Sequence, residues 1–199
     1  MEVDTEDIKM KKAAIRREML KKRSSLSDDE CRRKSRTICE AFLATKEYDR
    51  ASTILLYKAY NNEVDTDMIF SRAVSDGKTV AYPRSCENGG EPEMRFFVVN
   101  DPDELCKGYK GIFEPDITKE LEKFNGCADI CITPGVSFDR KCHRIGYGKA
   151  FYDRYIRQND PKCVIGLAYA IQIADEFETE DADRTVDMVI TESGIYINE

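Results

Sequence analysis

The sequence has one histidine in 199 residues, and its eight cysteines include no pair spaced C-x-x-C. A Cys/His zinc site is therefore poorly supplied, and the scattered thiols at 31, 39, 86, 106, 127, 131, 142 and 163 read as reduced cysteines, not a disulfide scaffold. Cys127, Cys131 and Cys163 are expected as small core hydrophobes, while the cationic neighbours of Cys142 predict an exposed, thiolate-prone sulfur. No apolar run approaches the roughly 18 residues that would cross a bilayer, and the opening MEVDTEDIKMKK lacks the apolar core of a signal peptide. A cytoplasmic protein without membrane contact is the expectation. Repeats, low-complexity tracts and long linkers are missing too. A net charge of −7 argues against general nucleic-acid binding, although local basic clusters still suit phosphates.

What is present fits one core. With 41% hydrophobic residues, 199 residues suffice for a single α/β domain spanning 1–199. Residues 7–22 have helical period, and Ser27 to Glu30 forms a capping box that should open a second helix running to about Thr45. STILLY at 52–57 reads as a strand, Thr66 as the cap of a short helix through Val74 closed by Gly77, and TVAYPR as a returning strand. MRFFVV follows an Asn88-Gly89-Gly90 loop. Residues 130–133, 163–169 and 188–191 supply three more strands around a helix at 150–157. The alternation predicts a mostly parallel mixed sheet with helices on both faces, and ligands at the carboxyl ends of its strands.

The densest chemistry lies in DICITPGVSFDRKCHRIGYGKAFYD, residues 129–153. An apolar strand stops at Pro134-Gly135, and Arg140, Lys141, Arg144 and Lys149 then surround Gly146 and Gly148 before a helix begins. Glycines let backbone N–H groups reach phosphate oxygens, the cations balance their charge, and the opening helix adds its positive end. It is not a Rossmann fingerprint, since these glycines do not sit in the first strand-to-helix turn. Nor is it a Walker A loop, which needs Gly-Lys followed by Ser or Thr. Glycines beside charges also make ordinary surface turns. Asp139 reads better as a turn former than as a metal ligand.

The run PGVSFDRKCHRIGYGKAFYD resembles the signature of the 5-formyltetrahydrofolate cyclo-ligase (5,10-methenyltetrahydrofolate synthetase) family. The likeness extends in order over most of the chain: Lys12 and Arg16 on the first helix, Glu63 after ILLYKAYNN, TVAYPR, MRFFVV, the segment from Ile112 to Pro115, and TVDMVITE. Ala150 departs from the pattern, standing where a third glycine is usual, and so does Cys142-His143. Ala is the smallest replacement, so close approach to phosphate is expected to survive unless the position needs positive φ.

The resemblance implies ATP-dependent cyclisation of 5-formyltetrahydrofolate, with or without a polyglutamate tail, to 5,10-methenyltetrahydrofolate by a monomer that uses Mg²⁺. It implies Lys149 and Arg144 as the cations on the transferred phosphoryl group. Lys12, Arg16, Gly146, Tyr147, Gly148, Ala150, Phe151 and Tyr152 join them around ATP. Asp153 and Asp187 are the expected Mg²⁺ ligands, because Mg²⁺ prefers one or two carboxylates beside phosphate and water. Glu63 is the leading folate contact, with Lys58 near it and Tyr147, Phe151 and Tyr152 offering an aromatic wall. Taken alone, each of these residues also reads blandly, as a solvated lysine, a turn acid or a core aromatic. A non-catalytic nucleotide- or folate-binding relative and an RNA-binding relative stay open at this point.

Overall fold

The computed structural model describes residues 5–88, 91–108, 111–180 and 183–198. Helices α1 (Thr5–Ser24) and α2 (Asp28–Leu43) lead the chain. The capping box is formed as expected: Ser27 Oγ accepts from Glu30 N at 3.3 Å and Glu30 Oε2 from Ser27 N at 2.9 Å. A short α3 (Lys46–Arg50) precedes β1 (Thr53–Leu55), α4 (Asp67–Ser75) and the hairpin of β2 (Thr79–Asn88) with β3 (Glu91–Val98). Gly89 and Gly90 lie outside the described residues. Then come β4 (Leu105–Lys107), β5 (Phe113–Pro115), β6 (Ile130–Thr133), β7 (Ser137–Phe138), β8 (Arg144–Ile145), α5 (Phe151–Asn159), β9 (Cys163–Leu167), β10 (Met188–Thr191) and β11 (Gly194–Ile197).

Seven strands form the main sheet in the order β11-β10-β9-β6-β1-β2-β3. The inner strands β10, β9, β6, β1 and β2 are parallel, and β11 and β3 close the edges antiparallel. Side chains alternate across it with period two. Ile54, Leu56, Ile130, Ile132, Ile165 and Ile190 meet Ile38 and Phe42 of α2 and Ile69 of α4. Leu55, Cys131, Val164 and Val189 face the other way, toward Phe138 and toward Tyr155 and Ile156 of α5. Both faces are thus covered, which a parallel sheet requires.

Local departures from the sequence reading have physical causes. The strand expected over 52–57 is confined to Thr53–Leu55, because the chain swings outward after Leu56 N bonds Ala81 O at 2.9 Å. Thr66 does not cap α4 with its side chain: its hydroxyl donates to Tyr57 O at 2.7 Å, and Asp65 Oδ1 accepts from Asp67 N instead. All eight cysteines are free, yet Cys127 is exposed, not core. Cys142 is fully buried, and burial with nearby Asp139 pushes its thiol up to about 11, the reverse of the thiolate expected from its neighbours.

Strand order creates the crevice that matters. From β1 the chain steps to β2 on one side, whereas β6, β9 and β10 build outward on the other. Connections leaving the carboxyl ends of adjacent β1 and β6 therefore diverge, opening a space of the kind where ligands settle in parallel sheets.

Candidate active site

The β6 connection enters this space through Pro134-Gly135. A Cβ on Gly135 would lie 2.3 Å from the Phe138 ring, so only glycine lets the loop fold back over that buried aromatic. β7 and β8 pair as a small ribbon whose turn is held by Asp139. Its Oδ1 accepts from Lys141 N and His143 N, each at 2.9 Å, and its Oδ2 meets His143 Nδ1 at 2.8 Å. Asp139 is thus a turn former, and His143 is its partner.

Beyond β8 the loop carries Gly146 to Ala150 and runs into α5. Gly148 sits at φ +90° and Ala150 at +51°. The position where a third glycine is usual therefore does need positive φ, and Ala150 holds a left-handed conformation that glycine would adopt freely. Lys149 between them is exposed and makes no ion pair among the described residues.

Arg144 is buried beneath the loop: Nη2 donates to Asp153 Oδ1 at 2.7 Å, Nη1 to Pro134 O at 3.2 Å, and its guanidinium lies 5.8 Å from the Tyr152 ring centre. Its Nε is buried without a partner among the described residues. From α1, Arg16 Nε donates to Gly146 O at 2.8 Å.

The β1 connection brings Glu63 to the same place. Tyr147 donates its hydroxyl to Glu63 Oε1 at 3.0 Å, Glu63 Oε2 accepts from Tyr60 N at 3.0 Å, and Arg23 Nη1 lies 4.0 Å from Oε1. Burial pushes the Glu63 carboxyl up, opposed by Arg23, the Tyr60 N–H and the Tyr147 hydroxyl. Burial and Glu63 together push the Tyr147 phenol up to about 12. Beside Glu63 an open groove of about 250 Å³ runs between the start of α2 and residues 59–65, walled by Cys31, Ser35, Tyr60, Asn62 and Asp65. A carboxylate with fixed acceptors thus stands beside a glycine loop that carries a free lysine and covers a buried arginine, a combination suited to binding a polar heterocycle next to a phosphate.

Comparison with known proteins agrees with this geometry. A model of the 5-formyltetrahydrofolate cyclo-ligase family matches residues 8–192. The chain belongs to this family. It is 28% identical to a probable 5-formyltetrahydrofolate cyclo-ligase of Caenorhabditis elegans, over 96% of this chain and 97% of that one. It is 26% identical to the 5-formyltetrahydrofolate cyclo-ligase of Mus musculus, over 91% and 93%. The fold is similar to the NMR structure of Aquifex aeolicus 5,10-methenyltetrahydrofolate synthetase, with a TM-score of 0.82, 29% identity, and coverage of 94% of this chain and 93% of that one.

Not every residue expected at a cyclo-ligase site arrives there. Lys12 is buried on α1, but its Nζ pairs with Asp183 and, at 3.3 Å, with Glu180. Lys58 pairs with Asp67 at the start of α4. Phe151 and Tyr152 pack against the core on the α5 side, leaving Tyr147 as the exposed ring of the expected aromatic wall. Asp187 precedes β10 at the amino end of the parallel strands, where Oδ2 accepts from Val164 N at 2.7 Å. Asp153 stands in the first turn of α5, at the edge the glycine loop enters, so the two carboxylates do not form one metal site. Among the described residues no cluster of three or more Cys, His, Asp and Glu side chains could hold a metal. Arg23 was missed altogether, because Lys21, Lys22 and Arg23 look like the usual basic last turn of a solvated helix. One signal pointed to it: buried Ile8, Lys12, Met19 and Arg23 recur at helical spacing on a single face of α1.

Proposed function

We propose that this member of the cyclo-ligase family, working as one α/β domain, closes 5-formyltetrahydrofolate to 5,10-methenyltetrahydrofolate at the expense of ATP. The formyl oxygen attacks the γ-phosphorus and ADP leaves. N10 then bonds to the activated carbon, the C–O bond breaks with release of phosphate, and the N10 proton is lost. The observation that carries this reading is the meeting of Glu63 from the β1 connection with the Gly146–Ala150 loop from β6 at the strand-order reversal.

Phosphoryl transfer needs positioning and cancellation of negative charge more than covalent participation by the protein. Lys149 is the free cation of the loop and meets the transferred phosphoryl group; Arg144, fixed below, adds its charge and aims Asp153. Arg16 holds the Gly146 carbonyl and so turns the loop's N–H groups toward the phosphates. One carboxylate at the loop's end fits Mg²⁺, which takes few protein ligands when phosphate oxygens supply the rest, so Asp153 is its ligand here. When bound, the ion supplies charge stabilisation at the phosphates.

Glu63 accepts N–H donors of the reduced pterin, with its acceptor directions fixed by Tyr60 N and Tyr147. The groove of about 250 Å³ is smaller than the roughly 300–1,000 Å³ that encloses a drug-sized ligand, so it takes one end of the folate and leaves the rest outside. The deciding experiment follows absorbance in the methenyltetrahydrofolate band with protein and 5-formyltetrahydrofolate, omitting ATP and Mg²⁺ in turn. Growth only in the complete mixture is expected. No growth, with ATP or folate still binding by calorimetry, would favour a non-catalytic relative.

A further inference from the structure

We propose that Arg23 is a positioning residue for the folate end of the site, acting through Tyr147 and Glu63. The inference rests on the reading of Glu63 as the folate contact. Arg23 lies in the last turn of α1 with 1% of its surface exposed. A guanidinium so deeply buried is costly unless its donors are used. Nη1 donates to Gly135 O at 3.3 Å, where the glycine loop segment begins, and Nη2 donates to the Tyr147 hydroxyl. That hydroxyl in turn donates to Glu63 Oε1 at 3.0 Å, so a guanidinium, a phenol and a carboxylate form one directed chain across three separate segments.

The groups facing Glu63 make Arg23 decisive. Tyr147 comes from the glycine loop, Tyr152 from α5 and Tyr57 from the end of the β1 segment, all neutral near pH 7 because burial pushes their phenols up. Tyr169 donates to the Glu63 backbone carbonyl at 3.2 Å, not to its carboxylate. Arg23 is the cation within 4.0 Å of that carboxylate among the described residues. Without it, a nearly buried carboxyl surrounded by phenols favours its neutral form, and a neutral carboxyl loses acceptor capacity toward substrate N–H groups. Arg23 also fixes Tyr147 two helical turns along α1 from where Arg16 holds Gly146, so the helix sets the folate side and the phosphate side of the loop separately.

The test compares Arg23→Met and Arg23→Lys, measuring kcat and both KM values across pH. For Arg23→Met the folate KM should rise about tenfold, the value for losing a charge-assisted hydrogen bond, while the ATP KM changes less than about twofold. The acid limb of kcat/KM for folate should move to higher pH, since loss of the cation raises the Glu63 pKa further. Arg23→Lys should recover most of both effects, and in a Glu63→Gln background Arg23→Met should add nothing. Equal rises in both KM values with an unmoved acid limb would overturn the proposal, showing only that α1 had shifted. If Arg23→Met does not fold, Tyr147→Phe removes the relay hydroxyl and keeps the ring; an unchanged pH profile there overturns it equally. A wild type inactive in the complete mixture would instead take down the functional reading on which this one stands.

Discussion

Arg144 grips Asp153 at 2.7 Å across the whole glycine loop, tying the strand before the loop to the helix after it. The pair is nearly buried, with side chains 4% and 17% exposed, so it fixes the carboxylate's direction as well as its charge. Asp153→Asn keeps an oxygen that accepts from Arg144 but removes the negative charge that the proposed Mg²⁺ site would use. Turnover should fall by about a hundredfold, with partial recovery at high Mg²⁺, while stability changes by about 1 kcal/mol. Mg²⁺ titration of the rate and urea unfolding separate the effects, and unchanged kinetics at limiting Mg²⁺ would remove Asp153 from the metal.

Ala150 stands at φ +51° immediately before α5, in a region that costs an L-residue about 1–2 kcal/mol. Replacing it with glycine relieves that strain and loosens the unfolded chain, effects of opposite sign and similar size. Ala150→Gly should therefore stabilise by no more than about 1 kcal/mol and leave turnover unchanged or raised. A large fall in kcat/KM for ATP would show that the loop depends on the alanine methyl.

The sequence made the architecture legible because parallel strands buried on both faces are short apolar runs, and Ile130–Thr133, Cys163–Leu167 and Met188–Thr191 stand out as such. It left β11 hidden, since Gly194–Ile197 follows β10 after a tight turn and exposes Ile195 and Ile197. Candidates carried by one loop are local in sequence: Arg144, Gly146, Gly148, Lys149 and Asp153 share 10 consecutive positions, and the fold keeps them together. Residues whose role depends on packing between distant segments are not. Arg23 carries no motif that singles it out, Lys58 is expected beside the folate contact but pairs with Asp67, and Asp187 is expected as a ligand although Val164 N uses its carboxylate at the opposite end of the strands. Spacing within a segment is local information, and the docking angle of α1 is not.

Lys12 illustrates the same point with a measurable consequence. It is buried among Asp183 and Glu180, so reaching a nucleotide requires it to leave these acids. Asp183→Asn weakens that hold and should lower the KM for ATP by up to about fivefold, the range spanned by partly exposed ion pairs. An increased KM in Asp183→Asn would show instead that the acids hold Lys12 in its working position.

Asp129 offers a pH test remote from the chemistry. Its Oδ2 accepts from Ser52 N at 2.8 Å and Thr53 N at 3.0 Å, and its Oδ1 from Lys162 Nζ at 2.7 Å, so one carboxylate pins the amino ends of β1 and β6 side by side. The Lys162 ammonium and these N–H groups, against burial, hold its carboxyl down at about 2, below the ordinary 3.8. A depressed folded pKa contributes stability that is complete above the unfolded value and disappears as pH falls through the folded one, so the window lies between about pH 4 and pH 2. After allowance for the 22% exposure of the side chain, the contribution is about 1–2 kcal/mol. Asp129→Asn should lose that amount at pH 7 and less as the pH falls, so the gap between the two urea midpoints should narrow below about pH 4. A gap that stays constant to pH 2 would mean that the charge contributes nothing and the hydrogen bonds alone join β1 to β6.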